Sequence, residues 1–353
     1  MDLSVLIPTH GRPEKLARAI ASLARQRFDG AFEVLVGVDG GAEGDGATGR
    51  EVHAAARAEA GPIGDRLSVL ALGRTGPGGV RNRLAERARG RVLLFLNDDV
   101  RAERDLLRHH GEAHAGRRGA AMILGAAPWA KSAGREETLF DRMVRETSLI
   151  FFYDRMEAAR RAGTAGDEHD WGFRHAWTLN LSVPREVFGG VGGFDERLDR
   201  PMYEDLEFAW RVRRATGAPV LYRPGAVVQH DHEILPRDYL RRERAMGEAA
   251  WSFARSCPAC ARDVFGRDVA SSEEIAFARG WLEREGGAAE RSRGPFEALA
   301  TIRGDAIPPL DDATGAVLMA SLYQQHVPLK RLEWRLGLLA AAAAGAGAEA
   351  RAA

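Results

Sequence analysis

Three polar residues, Asn97, Asp98 and Asp99, directly follow the apolar run VLLFL at 92–96. Adjacent carboxylates repel each other, and a divalent cation such as Mg²⁺ or Mn²⁺ removes that repulsion while leaving coordination positions for phosphate oxygens. The two aspartates could instead cap the next segment, RAERDLLRHH, which has a helical pattern, because acidic residues are common at helix starts. From this motif alone, a cation site and a helix cap are about equally favoured.

A further carboxylate, Asp39, ends the apolar run FEVLVGV at 32–38 and is followed by two glycines. Glycine lets a ligand approach the backbone closely, and a carboxylate there can accept a hydrogen bond from a base N–H or a ribose hydroxyl. Asp-Gly-Gly by itself is more often a turn. Two acidic strand ends in one sheet, however, can flank a single nucleotide diphosphate.

The elements that must position these residues alternate between strand and helix. Short apolar runs predict strands at 3–8, 32–38, 67–72 and 92–96. Helical patterns lie between them, one opening at Pro13 and another in GGVRNRLAERAR. This alternation predicts right-handed crossovers and a doubly wound parallel sheet, in which ligands bind beyond the carboxyl ends of the strands.

The rest of the chain predicts a change of architecture. A strand is expected at 177–183, then the Gly-rich loop GGVGGFDE and a helix in YEDLEFAWRVRRATG. From Pro236 onward the pattern is almost entirely helical. We therefore expect a sheet domain at 1–235 and an α-helical C-terminal extension at 236–353 that ends in a frayed Ala/Gly-rich tail.

Charge and composition exclude several classes of function. Lys+Arg and Asp+Glu both total 50, so no net charge draws the chain to nucleic acid, and any anionic ligand must be bound locally. No basic leader precedes the first strand, and the apolar stretch GLLAAAAAGAGA is too short to span a membrane. We expect a cytoplasmic protein. Cys257 and Cys260 form a single CxxC, which disfavours redox or zinc chemistry.

Five segments, in this order, resemble the inverting family 2 nucleotide-sugar glycosyltransferases of the GT-A fold. SVLIPTHGRPEKLARAIASLARQ looks like their first strand and helix, and EVLVGVDGG resembles their nucleobase-binding strand end. GPGGVRNRLAERARGRVLLFLNDDV is similar to their Arg-Asn helix and DXD metal site. NLSVPREVFGGVGGFDERLDRPMYEDLEFAWRVRRATG resembles the acceptor loop and the Glu-Asp catalytic motif, and VVQHDH resembles the segment with the last metal ligand. The resemblance covers most of residues 3–255 and implies a Rossmann-like mixed α/β sheet flanked by helices.

The resemblance implies a set of nucleotide contacts, carried over position by position: Pro8, Thr9, Asp39, Arg81, Asn97 and Asp98. Asp39 would contact the nucleobase, and Pro8 and Thr9 would line the nucleoside pocket through their backbone. Arg81 would meet the diphosphate or base region, unless it is only a solvated helix arginine. Asn97 departs from the usual acidic first position of DXD, but its amide can still hydrogen-bond a ribose hydroxyl.

The resemblance also implies a metal site and a catalytic base. Asp99 and a histidine would bind Mn²⁺ or Mg²⁺; His230 fits best because it directly ends the apolar run, and His232 is the alternative. Asp205 would be the general base that removes the acceptor proton, and Glu204 would hydrogen-bond the acceptor or orient Asp205. Two acids in the first turn of a helix are also electrostatically favourable without any catalytic role.

Four residues are candidates for the acceptor side: Trp177, Asn180, Asp195 and Trp210. Trp177 could stack on a sugar face and Asn180 could hydrogen-bond it, although core packing is the stronger interpretation for both tryptophans. Asp195 could instead only shape its loop.

The sequence thus predicts a metal-dependent inverting glycosyltransferase that moves a sugar from a nucleotide-diphosphate donor, a UDP-sugar first, to a hydroxyl acceptor. The expected setting is glycan or cell-surface polysaccharide synthesis. The acceptor is left open among glycans, lipid-linked saccharides and small molecules, as are peripheral membrane association and a homo-oligomer. The alternatives are a non-catalytic nucleotide-sugar-binding or scaffolding module and a sugar nucleotidyltransferase, whose Gly-rich phosphate loop is missing from IPTHGRP.

Overall fold

The computed structural model describes residues 1–42, 46–131, 135–198 and 200–352. By its internal contacts, the chain divides into two compact units. The first unit comprises residues 1–130 and 155–232, and the second comprises residues 131–154 and 233–353. The sequence pattern instead places 131–154 in the sheet domain, and the domain boundary at 235 stays a prediction.

The first unit is built on a mixed sheet of eight strands among the described residues. In chain order the strands are β1 Leu3–Thr9, β2 Phe32–Val38, β3 Leu67–Ala71, β4 Val92–Leu96, β5 Val100–Ala102, β6 Met122–Ala126, β7 Asn180–Pro184 and β8 Val220–His230. Across the sheet they lie in the order β3-β2-β1-β4-β7-β6-β8-β5. The first four strands are parallel to one another, whereas β7 and β5 run antiparallel to their neighbours.

Helices flank the sheet in the first unit and make up the second unit. In chain order the helices are α1 Pro13–Leu23, α2 Ala47–Ala58, α3 Gly76–Arg87, α4 Leu106–His114, α5 Leu139–Glu146, α6 Tyr153–Arg161, α7 Arg185–Gly190, α8 Glu204–Thr216, α9 Pro236–Ser256, α10 Pro258–Phe265, α11 Ser272–Trp281, α12 Gly287–Arg291, α13 Arg293–Ala300 and α14 Asp312–Ala352. The first unit contains α1 to α4, α7, α8 and all of α6 from Arg155 onward, and the second contains α5 and α9 to α14.

The four strands predicted from the first hundred residues agree with β1 to β4 within one residue at each end. Every residue of β1 and β2 is buried, as expected for parallel strands covered on both faces. Because these strands are parallel, their carboxyl ends lie at one edge of the sheet, where the predicted site residues follow.

The segment after Asp98 and Asp99 does not form the helix that the helix-cap interpretation requires. It forms β5, whose three residues pair antiparallel with the last three residues of β8, and α4 begins only at Leu106. The two aspartates therefore cap no helix, and the helix-cap interpretation is wrong because pairing with a distant strand outweighs the local helical pattern. The strand expected at 177–183 is observed as β7, which begins later, at Asn180.

The second unit is helical, as predicted for the C-terminal extension. Its two longest helices, α9 and α14, pack closely at two glycines: a Cβ on Gly247 would lie 1.9 Å from the Trp334 carbonyl oxygen, and one on Gly337 would lie 1.9 Å from the Arg244 carbonyl oxygen. The sequence pattern suggests two helices separated near Pro328, but α14 continues through this proline. Proline lacks the backbone N–H for one helical hydrogen bond, and the packing along α9 outweighs that loss. Among the described residues, no helix is both long and apolar enough to span a bilayer.

Candidate active site

The carboxyl ends of β1, β2 and β4 are joined by hydrogen bonds between their polar residues. The Thr9 hydroxyl donates to Asp98 Oδ2 at 2.6 Å, and the Asp39 N–H donates to the Thr9 carbonyl at 2.9 Å. Pro8, Thr9 and Asp98 are buried, whereas Asp39 is partly exposed. The structure therefore brings these four predicted nucleotide-binding residues to one edge of the sheet.

Asp39 also connects this edge to the start of α3. Its Oδ1 accepts the Thr75 N–H at 2.7 Å. Its carbonyl oxygen lies 2.8 Å from His10 Nδ1, and Arg74 Nη2 lies 3.2 Å from His10 Nε2. A carbonyl can only accept, so His10 Nδ1 carries the proton and Nε2 accepts from Arg74. Sequence reasoning missed this exposed bridge because no motif marks either His10 or Arg74.

A carboxylate and two imidazoles meet beside these strand ends. Asp99 Oδ2 lies 3.0 Å from His232 Nδ1, and Asp99 Oδ1 lies 3.6 Å from His230 Nε2. The three side chains offer ligand atoms that all lie within 4.8 Å of one another. The Asp231 N–H donates to the Asp99 carbonyl at 2.7 Å, which ties the two segments together. The sequence prediction preferred His230 to His232, but both histidines reach Asp99.

Burial controls the protonation of this cluster. Burial alone would raise the pKa of Asp99, but the adjacent His230, His232 and Arg12 outweigh it and hold that pKa well below its usual value. Burial lowers the pKa of His230, against the opposing effect of Asp99. An ionised carboxylate beside a neutral imidazole is the protonation state that a metal ion requires of its ligands.

Arg12 is a cation already present at this site, and the sequence analysis did not single it out. Its Nε donates to Asp98 Oδ2 at 3.1 Å, and its Nη1 donates to Asp99 Oδ2 at 3.0 Å. The Arg12 side chain is 40% exposed, while that of Asp98 is fully buried. In so arginine-rich a sequence, nothing local distinguishes Arg12 except its place in the turn between β1 and α1. The repulsion between the two aspartates is therefore offset by a guanidinium.

A second acidic pair, Glu204 and Asp205, occupies the first turn of α8. The preceding residue, Tyr203, has a φ of +67° and is the only non-glycine with positive φ in the described part of the chain. This conformation is costly for a bulky side chain, so the surrounding structure must enforce it. The start of α8, and with it the direction of both carboxyl groups, is held in a strained backbone conformation that no sequence signal revealed.

Arg81 links this acidic pair to the end of β4. Its Nη1 donates to Glu204 Oε1 at 3.1 Å, and its Nη2 donates to Asn97 Oδ1 at 3.2 Å. Arg81 is only 3% exposed, and its guanidinium lies 5.5 Å from the centre of the Phe194 ring. The alternative of a solvated helix arginine is therefore wrong. Arg81 instead connects the predicted nucleotide contact Asn97 to Glu204.

Burial also changes the basicity of the acidic pair. Burial and the nearby Asp205 carboxyl raise the pKa of Glu204 to about 7, although Arg81 opposes this. Burial likewise raises the pKa of Asp205. Asp205 Oδ1 accepts the Leu206 N–H at 2.8 Å. Asp205 is partly exposed whereas Glu204 is 4% exposed, so Asp205 is the carboxyl that a ligand can reach.

The family model for glycosyl transferase family 2 matches residues 4–178. The chain belongs to glycosyl transferase family 2. This family 2 chain is 30% identical over 240 residues to the validoxylamine A glucosyltransferase of Streptomyces hygroscopicus subsp. limoneus, covering 62% of this chain and 49% of that protein. It is 31% identical over 269 residues to the uncharacterized glycosyltransferase YfnE of Bacillus subtilis (strain 168), covering 66% of this chain and 65% of that protein. The chain therefore spans about half the length of the first of these relatives.

A solved structure with a similar fold is the mannosyltransferase PcManGT from Pyrobaculum calidifontis in complex with GDP-Man and Mn²⁺. It matches with a TM-score of 0.51 and 17% identity over 97% of this chain and 86% of that chain. The predicted family and its GT-A fold are confirmed. The family match ends at 178, so Glu204, Asp205 and His230 lie beyond it and their predicted roles stay predictions.

On the acceptor side of this family 2 chain, the structure contradicts the predicted role of Asn180 as a hydrogen-bond partner of the acceptor sugar. It is fully buried, and its Nδ2 donates to the carbonyls of Ala126 and Ala226 at 3.0 and 2.8 Å. Its Oδ1 lies 2.9 Å from His110 Nε2. Asn180 cannot contact an acceptor because its amide bridges β6, β8 and α4 inside the protein.

The other three acceptor candidates mainly have structural contacts. Trp177 is 7% exposed, which fits core packing. Trp210 is half-buried, and the Arg214 guanidinium lies 4.8 Å from the centre of its ring. Asp195 Oδ1 accepts from Arg197 Nε at 3.0 Å, a contact within its own loop.

Proposed function

We propose that this chain is a metal-dependent inverting glycosyltransferase that transfers a sugar from a nucleoside-diphosphate donor to a hydroxyl group. One observation carries the proposal: the cluster of Asp99, His230 and His232 lies at the same sheet edge as the nucleotide-binding candidates. The Arg81 bridge then joins this edge to Glu204. A cation site, a nucleotide site and a reachable basic carboxyl are the three parts that this reaction needs.

Asp99, His230 and His232 would hold the cation. One carboxylate with two imidazoles suits Mn²⁺ better than Mg²⁺, because Mg²⁺ prefers oxygen ligands alone. When bound, the cation supplies positive charge that stabilises the departing diphosphate. Arg12 already donates to Asp99, so cation and guanidinium would compete for the same Oδ2. The complex of PcManGT with GDP-Man and Mn²⁺ supports this combination of donor and metal.

Asp205 would act as the general base. The acceptor oxygen attacks the anomeric carbon, the bond from that carbon to the diphosphate oxygen breaks with its electron pair, and the acceptor proton passes to an Asp205 oxygen. A raised pKa makes this carboxylate a stronger base, and burial is the cause of the rise. Glu204 is committed to Arg81 and would orient the site instead of taking the proton.

On the donor side, Asp39, Thr9 and Pro8 would hold the nucleoside, and Asn97 and Asp98 would lie near the ribose and diphosphate. The glucosyltransferase relative favours a glucosyl donor, so UDP-glucose is the first nucleotide sugar to test, with GDP- and TDP-sugars beside it. A role in glycan or cell-surface polysaccharide synthesis is part of the same proposal.

The test combines binding with turnover. First, UDP, GDP and TDP are added to the protein with Mn²⁺, and the increase in melting temperature is measured. Sugar transfer is then assayed by measuring the nucleoside diphosphate that is released. Asp205→Asn should lower kcat by about 100- to 10,000-fold while leaving nucleotide binding intact. Asp105→Asn, a partly exposed acid before α4, is the matched control and should change neither kcat nor nucleotide binding. Lack of stabilisation by every nucleotide would contradict the proposal.

A further inference from the structure

The segment HDWGFRHAW, residues 169–177, forms a continuous run of ring contacts in the first unit. The ring centres of His169 and Trp171 are 4.6 Å apart, those of Trp171 and His175 are 5.9 Å apart, and those of His175 and Trp177 are 5.5 Å apart. We call these four side chains the aromatic track. Accessibility falls along it, from exposed His169 through half-buried Trp171 and His175 to buried Trp177.

The buried end of the aromatic track meets the proposed catalytic base. Thr178, directly after Trp177, donates its backbone N–H to the Asp205 carboxylate. The 3₁₀ turn Phe173–His175, in the middle of the track, packs against α8. The inner end of the track is therefore one residue away from a direct hydrogen bond to the proposed base.

The exposed end of the aromatic track is held in place by Asp170. Asp170 Oδ1 accepts the N–H groups of Gly172 at 2.9 Å and Val220 at 3.1 Å, and its Oδ2 pairs with Arg213. The Trp171 N–H also donates to the Val220 carbonyl at 2.9 Å. These bonds attach the outer part of the track to both β8 and α8. A platform fixed in this way loses little conformational freedom when a ligand binds.

The same contacts indicate how long a ligand must be to span the distance from Asp205 to the outer part of the aromatic track. Asp205 opens α8, and Arg213, the partner of Asp170, lies eight residues further along the same helix. At 1.5 Å per residue these two positions are about 12 Å apart. A ligand that contacts both Asp205 and the outer part of the track must therefore be longer than one pyranose ring.

We propose that the aromatic track binds the acceptor as an extended saccharide, with its terminal hydroxyl at Asp205 and its distal rings along Trp171 and His169. This inference rests on the proposed glycosyltransferase function. Aromatic rings match the apolar faces of sugar rings, and imidazole nitrogens can hydrogen-bond the hydroxyls at their edges. Because Trp177 is buried, stacking on a sugar falls to the more accessible Trp171.

The test is the dependence of acceptor binding on chain length. Two series are used, glucose to maltotetraose and glucose to cellotetraose, with Asp205→Asn saturated with UDP and Mn²⁺ so that no turnover occurs. Binding is measured by saturation-transfer NMR and by titration of tryptophan fluorescence. In one series, affinity should rise with length. Trp171→Ala should lower the affinity for the longest member by about tenfold and leave glucose and UDP binding unchanged.

Three further variants separate stacking from folding. Trp171→Phe keeps a ring and should restore most of the affinity, and His169→Ala alters only an exposed residue and should weaken the longer saccharides alone. Phe277→Ala, an aromatic of the second unit that is 50% exposed, is the matched control and should change nothing. Two results would show that the aromatic track has only a packing role while leaving the proposed function intact. In the first, UDP binds but no saccharide binds. In the second, Trp171→Ala binds saccharides of every length as tightly as the protein with Trp171. If UDP itself does not bind, the proposed function fails.

Discussion

Replacing Arg81 by methionine tests whether this residue positions the acidic pair. The change keeps the length of the side chain but removes its ion pair with Glu204 and its hydrogen bond to Asn97. Both side chains of the ion pair are at most 5% exposed, so water cannot replace the lost guanidinium. The Glu204 carboxyl is then left buried beside Asp205.

The expected loss of stability depends on pH. Burial and Asp205 raise the folded-state pKa of Glu204 to about 7 from 4.5, so this carboxyl is mostly ionised at pH 8 and mostly protonated at pH 6. Leaving one buried charge unpaired costs about 3–5 kcal/mol, which applies at pH 8. Losing a hydrogen bond to a protonated carboxyl costs roughly 1–3 kcal/mol, which applies at pH 6. Because the folded pKa is raised, stability is lost as pH rises through it, and Arg81→Met should steepen that loss.

The assay is urea unfolding of the wild type and Arg81→Met at pH 6 and pH 8. Arg83→Met is the matched control on α3, because Arg83 pairs with Glu86 and Glu196 through side chains that are all at least 40% exposed. This control should lose less than about 1 kcal/mol at either pH. An equal loss for Arg81→Met at both pH values, or a loss no larger than that of Arg83→Met, would refute the reasoning.

Three further outcomes are expected. Burial lowers the folded-state pKa of His110 to about 4 from 6.5, so the free energy of unfolding falls as pH drops through that interval. Acidification from pH 7.5 to pH 5 should therefore cost about 2 kcal/mol of stability. In His110→Gln, the free energy of unfolding should depend less on pH over this range. Gly247→Ala should cost roughly 1–3 kcal/mol because its Cβ would lie 1.9 Å from a backbone oxygen, whereas Gly294→Ala, with no atom within 4 Å of the added Cβ, should leave the melting temperature unchanged or higher. His230→Ala and His232→Ala should each weaken Mn²⁺ binding by at least about tenfold in calorimetric titration, and wild-type affinity in either variant would remove that histidine from the ligand set.

The sheet was predictable because its sequence signal is local. β1, β2 and β4 are nearly continuous apolar runs, a pattern that is typical of strands covered on both faces. Parallel connection then places the residues that follow those runs, Asp39, Asp98 and Asp99, at one edge. The same logic failed for the helix expected after Asp99, because the pairing of β5 with β8 is a long-range contact that the helical pattern does not contain.

The parts of the site that the sequence did not reveal depend on side chains that meet across long separations. Arg12 reaches Asp99 across 87 residues, and Arg81 reaches Glu204 across 123 residues. In a chain with 50 lysines and arginines, no local feature distinguishes Arg12. Arg81 is a nucleotide contact that the family resemblance implies, but nothing local indicates its pairing with Glu204. The left-handed backbone of Tyr203 is likewise imposed by its surroundings, since the preference of tyrosine itself opposes it.

The central claim is that Asp99, with the two histidines, holds a divalent cation beside a nucleoside diphosphate. Electron paramagnetic resonance of Mn²⁺, titrated into the wild type and Asp99→Asn with and without UDP, tests it most directly. We predict that the wild type binds Mn²⁺, that UDP tightens this binding, and that Asp99→Asn loses both effects. Equal Mn²⁺ binding by the two proteins, unaffected by UDP, would contradict the claim.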